Sequence, residues 1–212
     1  MKNNTKKLVT SAMMIAIAVV LSLFTPFSLP FGGGITLASC LPVIFISFIF
    51  GVKYGLFSAF IFSLLQIVTG MNTVAAFFLP GESQMLLWQG ICVCLLDYVL
   101  AYTVLGFGGI FKGKFKSFAL EVTAGSVLAL FLRYIVHIIS GAIFFGAWAE
   151  WFFTQEGFYK IGESILSTFS GTSLSIVYSV FYNGLYMIPE IIITSIIAPV
   201  AYKLISSSKV IN

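Results

Sequence analysis

The sequence predicts an all-α integral membrane protein, and three observations carry that prediction. Of 212 residues, 59% are hydrophobic and only 8% are charged, where soluble domains carry roughly 25% charged residues. Mean hydropathy is +1.07. The apolar runs are about 15 to 30 residues long, the length of a helix crossing a ~30 Å hydrocarbon core, and the short alternating segments of a membrane β-barrel are absent. One membrane domain spanning residues 1–212 is expected, with no soluble part large enough to hold a separate active site.

Six helices account for the apolar runs. The first covers about 8–24; the preceding lysines, Lys2, Lys6 and Lys7, resemble the start of a secretory signal, but no small-residue cleavage site follows, so the helix is read as retained. A loop with Pro26, Pro30, Gly32, Gly33 and Gly34 comes next, poor helix material and free of charge. A short second helix covers about 38–50, Gly51 and Lys53 mark a tight turn, and the third helix covers 54–68. The segment 70–83 ends in Pro80, Gly81 and Glu82 and reads as a loop at least there. The fourth helix covers 84–107, followed by a loop with Lys112, Lys114 and Lys116. The fifth covers 118–145, and a more polar stretch over 148–172 leads to the sixth over 174–205, in which Pro189 predicts a kink.

Charge sets the orientation. With six crossings, one side collects Lys2, Lys6, Lys7, Lys53, Lys112, Lys114, Lys116, Lys203 and Lys209, and the other has only Lys160 beside Glu82, Glu150, Glu156 and Glu163. Positive charge stays inside, so both termini are expected in the cytoplasm of a plasma-membrane protein. The net charge of +4 thus reflects topology and gives no nucleic-acid-binding patch. Cys40, Cys92 and Cys94 lie in apolar context and read as small apolar residues, with neither disulfide nor zinc spacing.

Four ionisable residues lie inside apolar runs: Asp97, Arg133, His137 and Glu190. A charge in hydrocarbon is costly unless paired or hydrated, so such residues mark an internal site. Arg133 and His137, four apart, share a helix face. Asp97 falls near mid-membrane, His137 in the outer half, and Tyr178, Tyr182, Asn183 and Tyr186 precede Glu190 on the last helix. Helices four to six therefore offer polar groups at similar depth, as an outward-opening pocket does. A carboxylate beside aromatic faces suits an organic cation, and Asn and Tyr read the edge of a heterocycle. An Asp97–Arg133 ion pair bracing two helices is the alternative. Ala12 and Ala16 form a small-xxx-small pair on the first helix, which allows close approach by another helix.

Several motifs in order resemble the thiamine-specific substrate-binding (S) components of energy-coupling factor (ECF) transporters, the ThiT or YuaJ family. They are Leu-Leu-Asp-Tyr at 95–98, Leu-Arg-Tyr-Ile-Val-His at 132–137, Ile-Ser-Gly-Ala-Ile-Phe-Phe-Gly at 139–146, and Tyr-Ser-Val-Phe-Tyr-Asn-Gly at 178–184. The segment 33–56 resembles the family's first outer loop and next two helices. The resemblance implies a six-helix bundle that binds thiamine and is not an enzyme. It implies ligand contacts for Asp97, Tyr98, His137, Phe145, Tyr178 and Asn183, with Arg133 in support. Some members carry Trp where Phe145 stands, which points to Trp148 or Trp151 as a compensating ring; an aromatic of their first outer loop falls near Gly33. No G-x-x-x-x-G-K-[ST] phosphate loop is present. The resemblance therefore implies that a membrane coupling subunit and two ATPases are the partners, the first packing on Ala12 and Ala16, with outer loops as a lid. No cofactor is implied, and thiamine is the cargo. Other readings are a thiamine precursor as ligand, or a stand-alone proton-coupled transporter of a small organic cation using Asp97, His137 and Glu190 as a relay. An intramembrane hydrolase is disfavoured because no Gly-x-Ser-x-Gly or metal-ligand motif occurs.

Overall fold

A computed structural model describes residues 2–29 and 33–207. Pro30, Gly32 and Lys209, used above to read the first loop and the charge bias, lie outside the described residues. The chain is helical almost throughout: α1 (Lys2–Leu23), a two-residue hairpin of β1 (Phe27–Ser28) and β2 (Gly34–Ile35), α2 (Leu41–Phe50), α3 (Val52–Thr69), α4 (Met71–Ala76), α5 (Leu87–Gly109), α6 (Phe118–Phe144), α7 (Ala149–Phe153), α8 (Tyr159–Thr168) and α9 (Gly171–Ser207). Five of these, α1, α3, α5, α6 and α9, are long and apolar enough to cross a membrane, and α2 is a shorter apolar helix. The protein is a multi-pass helical membrane protein.

Local chemistry explains the breaks. Pro42 sits in the first turn of α2, where its missing N–H costs nothing. Gly51, at φ 94°, takes a conformation that side chains with a Cβ resist, so α2 and α3 follow with one residue between them. The segment after α3 forms α4 before the Pro80–Gly81 loop, and the polar stretch 148–172 folds into α7 and α8. Both are too short to span a bilayer, which is why apolar run length did not predict them. Helix α9 runs through Pro189 and Pro199 without interruption.

Helix α5 departs most from a regular helix. It is α-helical from Leu87, widens into a π-helical stretch over Cys94–Leu100, and tightens to a 3₁₀ turn over Val104–Gly109. Its glycine-rich end is pressed onto neighbouring backbones. A Cβ on Gly106 would strike the Leu56 backbone, and one on Gly109 the Ser47 carbonyl. Ser47 secures this junction, its hydroxyl donating to the Gly106 carbonyl and accepting from the Gly109 N–H. Helices α5 and α6 meet as closely, since a Cβ on Gly125 would run into the Gly108 carbonyl oxygen.

The core lies between α2, α3, α5, α6 and α9, with Phe45, Phe48, Phe62, Leu105, Leu130 and Met187 fully buried. Tyr202, near the end of α9, packs against Phe118, Phe48 and Phe45 at ring-centroid distances of 4.6, 5.1 and 5.3 Å. These aromatic contacts close one end of the bundle. Large apolar side chains cover the outside, as expected of a surface facing lipid.

Candidate functional site

The hairpin, α3, α4, α5, α6 and α9 enclose a cavity of about 420 Å³. All six ligand contacts expected from sequence line it, Asp97, Tyr98, His137, Phe145, Tyr178 and Asn183, together with Arg133 and Glu190. Phe77, Tyr102, Tyr182 and Tyr186 add rings to the wall. Neither Trp148 nor Trp151 lines it; they contact each other at 6.1 Å, whereas Phe77 meets Phe145 edge-on at 6.1 Å. The ring beside Phe145 is therefore Phe77, from the turn after α4.

Asp97 and Tyr98 stand in the π-helical stretch of α5. Such stretches concentrate at functional sites because the wider turn re-aims side chains. Asp97 is held from α6, accepting from Ser140 Oγ at 2.7 Å and bonding His137 Nδ1 at 2.8 Å. The Asp97–Arg133 pair is not formed. Arg133 instead donates through Nε to His137 Nε2 at 3.2 Å, through Nη2 to the Tyr102 hydroxyl at 3.1 Å, and through Nη1 to Cys40 Sγ at 3.2 Å. Its guanidinium carbon lies 4.3 Å from the Tyr102 ring centroid, a cation–π distance. Cys40 is thus more than apolar filling, since its sulfur accepts from a half-buried cation.

These bonds fix the state of His137. The Arg133 Nε–H can only donate, so His137 Nε2 is the acceptor and the proton sits on Nδ1, donated to Asp97. His137 is then a neutral imidazole with both nitrogens engaged. It holds the carboxylate in place and leaves Asp97 its remaining lone pairs.

Asn183 is equally constrained. Its Nδ2 donates to the His137 carbonyl at 3.2 Å and the Ser179 carbonyl at 2.9 Å, and its Oδ1 accepts from the Tyr186 hydroxyl at 2.7 Å. The amide ties α9 to α6 and orients Tyr186, whose ring meets His137 at 5.9 Å. Gly141 makes room for this junction, because a Cβ there would strike Ser179 Oγ.

Glu190 is 2% exposed, and its carboxylate accepts from the Thr36 backbone N–H and hydroxyl, both at 2.7 Å. Thr36 follows β2, so α9 grips the base of the hairpin. The hairpin also rests on Tyr186: a Cβ on Gly33 would lie 2.5 Å from that ring. A ring at Gly33 has no space with Tyr186 in this position. Sequence reasoning missed Thr36, Tyr102 and Gln66, all cavity-lining. Gln66 did leave a signal, as the only amide side chain in the apolar helix α3.

The cavity holds two carboxylates, one guanidinium and a neutral imidazole, which leaves one negative charge in excess when both acids are ionised. Ala12 and Ala16 are remote from it, on the exposed face of α1.

Fold and site together define a multi-pass helical membrane protein with a polar, aromatic-walled binding cavity among its helices. The chain belongs to the thiamine transporter protein family (Thia_YuaJ), whose model matches residues 8–152. It is 32% identical over 202 residues to the thiamine transporter ThiT of Bacillus subtilis (strain 168), covering 90% of this chain and 87% of that one. The solved structure of ThiT from Listeria monocytogenes has the same fold, with a TM-score of 0.66 at 20% identity and coverage of 99% of this chain and 98% of that one. The family is one of transporters, not of enzymes.

Proposed function

We propose that this chain is the substrate-binding component of an ATP-driven vitamin uptake system and that it binds thiamine in the cavity from outside the cell. The observation that carries the reading is the charge and shape of the site around Asp97. Thiamine brings one fixed positive charge on its thiazolium ring, matching the one negative charge in excess when both acids are ionised, and its aminopyrimidine offers N–H donors to the Asp97 carboxylate. The aromatic wall supplies faces for both rings. Relatives named as thiamine transporters support the same ligand.

The topology proposed is six crossings, the sixth made by the short helix α2 together with the hairpin segment that leads into it, and both termini cytoplasmic in a bacterial plasma membrane. The lysine partition supports it. Energy comes from outside the chain, from a coupling subunit seated on Ala12 and Ala16 and from two ATPases. The exposure of both alanines supports a partner contact. The proton-coupled alternative needs a relay through Asp97 and His137. That chain ends on Arg133, whose guanidinium does not release its proton in proteins, so the geometry favours binding over relay.

Titration of purified protein with thiamine, followed by tryptophan fluorescence, tests the ligand. Saturable quenching at or below micromolar thiamine is expected; none would reject it. Uptake in vesicles lacking any ATPase, driven by a pH gradient, would return the secondary-transporter reading.

A further inference from the structure

The cavity wall built by α3 and α4 has a chemistry of its own. Gln66, Thr69, Gly70 and Thr73 line it, and no charged side chain stands among them. Gln66 is 6% exposed. Its Oε1 accepts from the Thr69 hydroxyl at 3.0 Å, which orients the amide, and its Nε2 is buried with no hydrogen-bond partner. A buried donor left unpaired is unfavourable and uncommon, and here it belongs to a side chain facing an open binding cavity. The Tyr98 ring packs at the same turn: a Cβ on Gly70 would lie 2.9 Å from its Cε1 and its hydroxyl oxygen. The neutral amide, the threonine hydroxyls and Tyr98 thus line the same cavity as Asp97.

We infer that Gln66 is a specificity residue whose amide donates to an uncharged hydroxyl of the ligand, with Thr69 and Thr73 completing a neutral polar subsite. The inference rests on the thiamine reading and extends it. Of thiamine's polar groups, the aminopyrimidine donors match a carboxylate. The hydroxyethyl arm is a neutral group that both donates and accepts, which an amide and two hydroxyls match. Recognition of this kind discriminates strongly, because a ligand lacking the hydroxyl leaves the buried amide unpaired.

The test compares thiamine with its analogue bearing ethyl in place of hydroxyethyl, titrated against purified full-length wild type, Gln66→Leu and Gln66→Met. Wild type should bind thiamine about tenfold more tightly than the ethyl analogue. In either variant that ratio should fall to about twofold or less, through weaker thiamine binding with little change for the analogue. A wild-type ratio near one, or a ratio that survives in whichever variant folds, overturns the inference while leaving thiamine as the ligand. Failure of wild type to bind thiamine at all overturns both.

Discussion

Arg133 Nε meets His137 Nε2 at 3.2 Å, and that one bond decides where the imidazole proton resides. It places the proton on Nδ1, against Asp97 at 2.8 Å. A half-buried cation thereby braces the cavity carboxylate through a neutral ring without neutralising it. Direct pairing of Arg133 with Asp97 would have consumed the charge that an organic cation requires. In the observed order the guanidinium is satisfied by an imidazole, a phenol and a sulfur, and the carboxylate remains free to act.

Asp97→Asn should therefore abolish the charge match while keeping the bonds that hold residue 97. An amide oxygen can still accept from His137 Nδ1. The expected loss in thiamine affinity is at least about 30-fold, since removing one member of a buried charge pair costs about 2–5 kcal/mol. Thermal stability in detergent should stay close to wild type. Unchanged affinity in a fluorescence titration would reduce Asp97 to a bracing role.

Arg133→Met tests the brace itself. Without the Nε–H donor, His137 is free to shift its proton to Nε2, and the Nδ1 donation to Asp97 is no longer enforced. Affinity for thiamine should drop about tenfold, and rescue by Arg133→Lys should be poor because lysine lacks the planar fork that reaches three partners at once. Full rescue by lysine would mean that only the positive charge matters.

The Glu190–Thr36 contact predicts a kinetic effect. It joins α9 to the base of the hairpin with two bonds to a carboxylate, each in the class worth about 1.5–3 kcal/mol. Glu190→Gln and Thr36→Val should each raise the thiamine dissociation rate about tenfold, with smaller changes in association, as is usual for contact losses within one interface. The double variant should resemble either single one. Additive effects in stopped-flow measurements would show that the two residues act separately.

How much of this was legible beforehand follows from how loudly each residue speaks in an apolar sequence. Asp97, Arg133 and His137 stood out because a charge in hydrocarbon is rare, and the i, i+4 spacing put the last two on one face. The five long spans were legible from run length. Thr36 was not, because its partner lies 154 residues away and threonine is ordinary near a loop. Gln66 is neutral and fell below a search for ionisable groups. The π-helical stretch was hidden because one residue more per turn leaves no mark in composition. Trp148 and Trp151 do not line the cavity, because the placement of short segments such as α7, unlike the phase of a long helix, does not follow from spacing.

The close backbone contacts predict where the fold is least tolerant. Gly125→Ala adds a single methyl where the Gly108 carbonyl already touches the helix. The methyl has no flexible side chain to displace, only backbone. Overpacking of this kind costs about 1–3 kcal/mol, so the melting temperature in detergent should fall by several degrees. The cavity lies elsewhere on α5 and α6, so the folded fraction should bind thiamine as wild type does. Ala12→Leu makes the opposite case. It adds bulk on the exposed face of α1, where the chain's own packing is not disturbed. Melting temperature and thiamine affinity should both stay unchanged. Uptake by cells supplying the coupling subunit and ATPases should fall sharply, because a small-xxx-small surface works by letting another helix come close. Normal uptake with Ala12→Leu would move the partner contact off this face of α1.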